Sequence, residues 1–136
     1  MSGENVEAVR GYFEAWNTGD RDFSIFHPKI VYHPRADEPD PSPHVGRHAY
    51  EQLICGFADT FAQVAVELRE LIDCGDRTIA ATVLHGRMRG GSEVQDDYVF
   101  VFAMREGLVV EGWEYRTKAE ALEAVGLSKQ DAHAGS

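Results

Sequence analysis

The chain is expected to fold as one α+β domain, with N-terminal helices packed on a curved antiparallel sheet. Three observations predict this. Apolar residues recur at three- and four-residue spacing in two early segments. From about residue 63 the period of the pattern changes to two, the mark of strands. The later segments are separated by Gly-rich turns, so consecutive strands should pair as a meander with the helices on one face.

Val6, Val9, Tyr12, Phe13 and Trp16 form one stripe of a first helix. It should stop at Asn17-Thr18-Gly19-Asp20, where the glycine takes a left-handed cap. Asp20 is expected to cap a short second helical turn carrying Phe23 and Phe26, ended by His27-Pro28 ahead of the strand-like Ile30-Val31-Tyr32-His33. Pro34, Pro39, Pro41 and Pro43 enforce a loop. Tyr50, Leu53, Ile54, Phe57 and Phe61 share one face of a longer helix from about Arg47 to about Phe61. Strands are expected near 63–72, 77–89, 93–104 and 108–116, divided by Cys74-Gly75-Asp76-Arg77, Gly90-Gly91 and Glu106-Gly107. Leu122 and Val125 mark a last short helix closed by Gly126. In the stretch 98–103 both parities are apolar, Tyr98, Phe100 and Phe102 on one side and Val99, Val101 and Ala103 on the other. A sheet with one wet face alternates, so the second face is expected to be covered by a partner subunit in a homodimer.

With 136 residues the chain matches the ~100–150 residues of one compact domain. We assign residues 1–127 to that domain and 128–136 to a polar C-terminal tail. The thirteen Lys and Arg are scattered among twenty-three acids, giving a net charge of −10. That argues against nucleic acid, whose phosphates need clustered cations. No apolar run approaches the ~20 residues of a membrane span, and a soluble, cytoplasmic protein is expected. Cys55 and Cys74 lack CxxC spacing and are read as free thiols. His27, His33, Asp37, Glu38, Asp40, His44 and His48 crowd one stretch, but no HExxH or HxH spacing makes a metal site of them. No metal or cofactor is expected.

Several strings recur in a telling order: Tyr12-Phe13-Glu14-Ala15-Trp16-Asn17-Thr18-Gly19-Asp20, then Val31-Tyr32-His33-Pro34, then Asp97-Tyr98-Val99-Phe100-Val101-Phe102. They lead to Glu106-Gly107-Leu108-Val109-Val110-Glu111-Gly112-Trp113-Glu114-Tyr115. Together, over about Val6 to about Leu127, the chain resembles the SnoaL-like polyketide cyclases and ketosteroid-isomerase-like proteins of the nuclear transport factor 2-like superfamily. The resemblance implies a cone around a pocket for a small apolar organic molecule. It leaves the reaction open, because this fold hosts isomerases, cyclases, dehydratases, epoxide hydrolases and proteins without catalysis.

Carried over by position, Tyr12 lies where ketosteroid isomerases keep the tyrosine that donates to the developing enolate oxygen. His33 stands where they keep their proton-shuttling aspartate, and imidazole can serve as a base near neutral pH. Their protonated aspartate falls at Tyr98 or Phe100. In SnoaL-like cyclases a Trp-Asp pair ends the last strand with a His fourteen residues earlier. Those positions are Glu114 and Phe100 here. Limonene-1,2-epoxide hydrolases also place a carboxylate at the position of Glu114, but their supporting Arg and Asp fall near Ala81 and Val83.

The resemblance thus names Glu114, His33 and Tyr12 as candidate catalytic residues, and Trp16, Tyr32, Phe57, Tyr98, Phe100, Phe102 and Trp113 as candidate walls of the pocket. Each has a plainer alternative. Strand alternation puts either Glu114 or the pair Trp113 and Tyr115 inside, unless a bulge intervenes. His33 shares a strand face with Val31, concave if the family match holds, and otherwise hydrogen-bonds its own loop. Tyr12 belongs equally to the helical core stripe. Asp96-Asp97 reads as a solvated strand entry, and Arg87 and Arg89 as balance for the acidic surface. Two functions follow: a cofactor-independent acid/base enzyme acting on a carbonyl-containing polyketide, terpenoid or steroid-like molecule, or a non-catalytic ligand-binding or dimerisation module with the same cone. Epoxide hydrolysis is a further alternative.

Overall fold

A computed structural model of the chain describes residues 2–126; the tail assigned to 128–136 lies outside them. Helix α1 (Ser2–Asn17) is followed by β1 (Phe26–His33), β2 (His44–Val45), α2 (Arg47–Asp59), β3 (Phe61–Cys74), β4 (Arg77–Met88), β5 (Glu93–Arg105), β6 (Leu108–Tyr115) and α3 (Lys118–Ala124). The six strands form one curved, unclosed sheet in the order β2-β1-β6-β5-β4-β3. Strands β3 to β6 are the expected antiparallel meander. Strand β1 departs from it by lying parallel to β6, with Tyr32 opposite Gly112 and His33 opposite Trp113, so the sheet is mixed.

The expected helical turn around Phe23 and Phe26 does not form. Residues 20–23 are irregular and Phe26 already opens β1. A register shift between Phe26 and Val31 places Pro28 where no regular ladder bond is asked of it, which removes the usual objection to proline in a strand. Phe26, Ile30 and Tyr32 are fully buried and face the helices.

Helix α1 lays Val9, Tyr12, Phe13 and Trp16 on the concave face of the sheet, against Phe26, Phe100 and Phe102. It is fixed at its end by Asn17, whose Nδ2 donates to the Val66 carbonyl at 2.5 Å while its Oδ1 accepts from the Val66 N–H at 2.8 Å. That pair satisfies a backbone donor and acceptor of β3 with one side chain. Helix α2 adds Tyr50 and Ala58 to the same core.

On the convex face a second, smaller cluster joins Val99, Val101, Ile72 and Ile79 to Ala121 and Leu122 of α3. Thr117 caps this helix, accepting from the Glu120 N–H in a reciprocal capping box. The chain's own C-terminal helix therefore packs on the outward residues Val99 and Val101 of β5. Cys55 and Cys74 are free thiols. Among the described residues no helix is long and apolar enough to cross a membrane.

Candidate active site

The decisive local feature is a bulge in β6. Met104 pairs with Val109, but the next residue of β5, Ala103, pairs with Glu111, leaving Val110 as an extra residue. An inserted residue reverses the alternation beyond it. Val109 points into the concave core, and past the bulge Gly112 and Glu114 take that side. Trp113 and Tyr115 pass to the convex cluster.

Gly112 has a steric duty there. A Cβ on it would lie 2.9 Å from Cδ1 of Tyr32 and 3.3 Å from Cδ1 of Phe102. Its absence lets the Tyr32 ring lie close on β6, where the Tyr32 hydroxyl donates to Oε2 of Glu114. Gly112→Ala is expected to push that ring away and to destabilise the fold by about 1–3 kcal/mol through overpacking. Denaturant unfolding checks this: a variant as stable as the wild type would show that the ring has room to move.

Glu114 also accepts from the backbone N–H of Arg35 at 3.3 Å. Arg35 follows Pro34 at the end of β1, and its side chain is nearly buried. One guanidinium nitrogen donates to the Asp97 carbonyl at 2.9 Å and the other to Asp96 at 3.1 Å. Its Nε lies 3.1 Å from Asp37 and 3.7 Å from Glu38, and its plane sits 4.2 Å over the centroid of the Tyr98 ring. The hydroxyl of Tyr98 in turn donates to Glu38 at 3.3 Å. A single cation thus fastens the proline-rich loop to β5 and sets the pose of Tyr98.

Opposite this wall, the hydroxyls of Tyr12 and Tyr50 lie 3.0 Å apart in a mutual hydrogen bond. The Tyr50 ring packs tilted against Tyr32, with ring centroids 4.6 Å apart. Of the two O–H groups in this pair one is used within it, so one remains free to donate.

These groups surround a cavity of about 350 Å³, within the range for small-molecule sites. Its walls include Tyr12, Trp16, Tyr50, Phe57, Tyr98 and Phe100, with Glu114 as the inner carboxyl and Glu38, Pro39, Asp40 and His44 toward solvent. Desolvation is the dominant influence on Glu114. It raises the carboxyl from 4.5 to about 7 against the opposing hydrogen bonds from Tyr32 and the Arg35 N–H. Burial likewise pushes the Tyr12, Tyr32, Tyr50 and Tyr98 phenols up, so they stay protonated and act as donors.

The structure sorts the candidate residues. Glu114, Tyr12, Trp16, Phe57, Tyr98 and Phe100 line the cavity. Tyr32 sits behind Glu114 and holds it. Phe102 is fully buried among Phe13, Phe26 and Phe100, inside the core and off the cavity wall. Trp113 faces the opposite side of the sheet, because the bulge reverses its parity.

His33 does too. It shares the outward face of β1 with Val31, stacks on Trp113 at 5.4 Å, and places Nε2 2.7 Å from Oε2 of Glu111. The placement of His33 in the concave site, expected from the family position, is therefore overturned. His33→Gln is expected to change any pocket activity by less than about twofold, as surface substitutions commonly do. A loss of ten times or more in a turnover assay would contradict this placement. Among the described residues no group of three or more His, Cys, Asp or Glu gathers into a potential metal site.

Arg35, Tyr50 and Glu38 were not singled out for the site from the sequence. Tyr50 stood in the apolar stripe of α2, like any core residue, and only the hydroxyl needing a partner in the interior marked it. Arg35 lay in a proline-rich loop with no periodicity to assign it a side.

Residues 9–112 match the SnoaL-like domain family. The chain belongs to that family. No curated protein matches this SnoaL-like chain in sequence. Its fold is shared with a nuclear transport factor 2-like protein of unknown function from Burkholderia pseudomallei, at 18% identity and a TM-score of 0.72, covering 88% of this chain and 95% of that one. TerC, co-crystallised with polyporic acid, is similar at 16% identity and a TM-score of 0.72, over 90% and 98% of the two chains. IdmH, a candidate polyketide cyclase from Streptomyces antibioticus, is similar at 20% identity and a TM-score of 0.70, over 90% and 99%. The fold alone is the common element of the four.

Proposed function

We propose that this SnoaL-like domain is a cofactor-independent acid/base enzyme acting on a small, largely apolar molecule that carries a carbonyl group, in an isomerase, cyclase or dehydratase type of reaction. One observation carries the reading. Glu114 is a half-buried carboxyl in an aromatic cavity, titrating near 7, where a proton is as readily taken as given. In the simplest step the Glu114 carboxylate removes a proton from the carbon beside the carbonyl. The C–H electron pair moves to the carbonyl oxygen as an enolate, and the free O–H of the Tyr12–Tyr50 pair donates to that oxygen. Returning the proton to another position isomerises the molecule, and attack of the enolate on a second carbonyl closes a ring. The likeness to IdmH supports a polyketide-type substrate. A homodimer associating through the convex face, where Trp113 and Tyr115 are half-buried, belongs to the same proposal, as does a cytoplasmic location.

The test does not need the natural substrate. Aromatic methyl ketones small enough for the cavity are incubated in deuterium oxide with the protein, and exchange beside the carbonyl is followed by NMR. Catalysed exchange that rises with pH to a plateau, with a midpoint near 7, is expected. Exchange no faster than in buffer, for ketones shown to bind, would favour the non-catalytic binding module.

A further inference from the structure

The charged groups around the cavity are of one sign. Glu114 lies at its inner end, and Glu38 and Asp40 line its outer part, where the exposure of Pro39 and Asp40 marks the mouth. Among the described residues no lysine or arginine lines it. Arg35, whose guanidinium lies over the Tyr98 ring, is held by Asp37, Asp96 and the Asp97 carbonyl, with its Nε 3.7 Å from Glu38, and Arg21 lies over Trp16. Among the described residues Asp40 is hydrogen-bonded only to Ser42 of its own turn. His44, on the same wall, has a buried Nε2 with no partner among the described residues. In the Nδ1–H tautomer that nitrogen is an acceptor awaiting an N–H. The chain's net charge of −10 adds a long-range field of the same sign, which repels anions and concentrates cations at the mouth.

We propose that the substrate carries a protonated amine at the end that remains in the mouth, beside Glu38, Asp40 and His44, while its apolar body and carbonyl reach inward to Glu114. This rests on the acid/base reading for the inner end, and it adds a ligand class at the outer end. A carboxylate or phosphate in the same place would meet two carboxylates, of which, among the described residues, only Glu38 has a cation beside it, the Arg35 Nε at 3.7 Å. An ammonium meets opposite charge, an unpartnered acceptor and the faces of aromatic side chains. Neutral molecules fit between these limits.

Three probes sharing a 2-acetylnaphthalene body test this, with an aminomethyl, a hydroxymethyl or a carboxylate group on the far ring, titrated calorimetrically into the whole chain. The aminomethyl probe should bind about tenfold tighter than the hydroxymethyl one, and the carboxylate about tenfold weaker, the scale of one partly solvated charge contact. In the double variant Glu38→Gln, Asp40→Asn the ratio of aminomethyl to hydroxymethyl affinity should fall to about threefold or less. A ratio is insensitive to any general loosening of the pocket. A hydroxymethyl or carboxylate probe that binds as tightly as the aminomethyl one, or an aminomethyl probe that does not bind, would overturn the proposal, as would an unchanged ratio in the variant. Deuterium exchange on the hydroxymethyl probe is scored separately. Exchange without charge preference removes the amine alone, and charge preference without exchange removes the acid/base chemistry alone.

Discussion

Glu114→Gln is expected to abolish catalysed exchange and, at the same time, to make the protein more stable above pH 7. The amide oxygen can accept from the Arg35 N–H while its NH2 donates to the Tyr32 hydroxyl, which can accept as well as donate, so the geometry survives while the base is lost. Loss of a positioned general base costs roughly 10²- to 10⁴-fold in rate. The stability effect follows from the raised titration. Between pH 4.5 and about 7 the folded carboxyl still holds a proton that the unfolded one has released. Stability of the wild type therefore falls as pH rises through this window and levels off above it, by about 3 kcal/mol in all. Gln carries no such penalty. Unfolding curves of the two proteins should coincide in shape below pH 4.5 and diverge in favour of the variant by pH 8. A variant less stable than wild type at pH 8, relative to their difference at pH 4.5, would show that Glu114 is not desolvated.

The second large effect is expected at Arg35. Replacing it with Met removes the donors to Asp96 and the Asp97 carbonyl and the cation above Tyr98, and leaves Asp37, Glu38 and Asp96 facing one another. Because Asp37 and Asp96 keep access to water, with side chains 41% and 39% exposed, the cost is below that of a fully buried pair. About 2–3 kcal/mol is expected from the lost charged hydrogen bonds and the cation–π contact. Activity should fall further than stability explains, since the loop carries the N–H that holds Glu114 and the carboxylate that holds Tyr98. Without the nearby positive charge, the midpoint of the exchange profile should also move above 7. Arg35→Lys should restore the charge but little of the forked bonding. An Arg35→Met protein with an unchanged midpoint and full turnover would reduce Arg35 to a surface ion pair.

The architecture was largely legible in the sequence because its causes are local. The stripe Val9, Tyr12, Phe13 and Trp16, the Gly19 stop, and the switch to period two after α2 each follow from residue spacing, and the elements formed close to where they were expected. What failed depended on contacts distant in the chain. The parallel pairing of β1 with β6 joins residues some eighty positions apart, and nothing near Phe26 announces it. Helix α3 packs on Val99 and Val101, a contact that the apolar Leu122 alone does not announce. At the site, Glu114 was found through resemblance, but alternation alone could not choose between it and Trp113. His33 occupied a matching position on the wrong side of its strand. Arg35 was invisible because its role comes from partners on β5 and from a backbone N–H, which every residue but proline has.

The unpaired Val110 has a consequence for how such proteins diversify. Everything beyond it on β6 is read in a shifted phase, so drawing Val110 into regular pairing opposite Ala103, with the turn at Glu106-Gly107 left intact, would bring the indole of Trp113 and the phenol of Tyr115 inward and expel the carboxyl of Glu114. No functional side chain would have been substituted. Gain or loss of this bulge at constant strand length is therefore a route between a proton-transferring pocket and a purely aromatic binding pocket. Two relatives could retain every residue of Gly112-Trp113-Glu114-Tyr115 and still present opposite faces of it to their ligands.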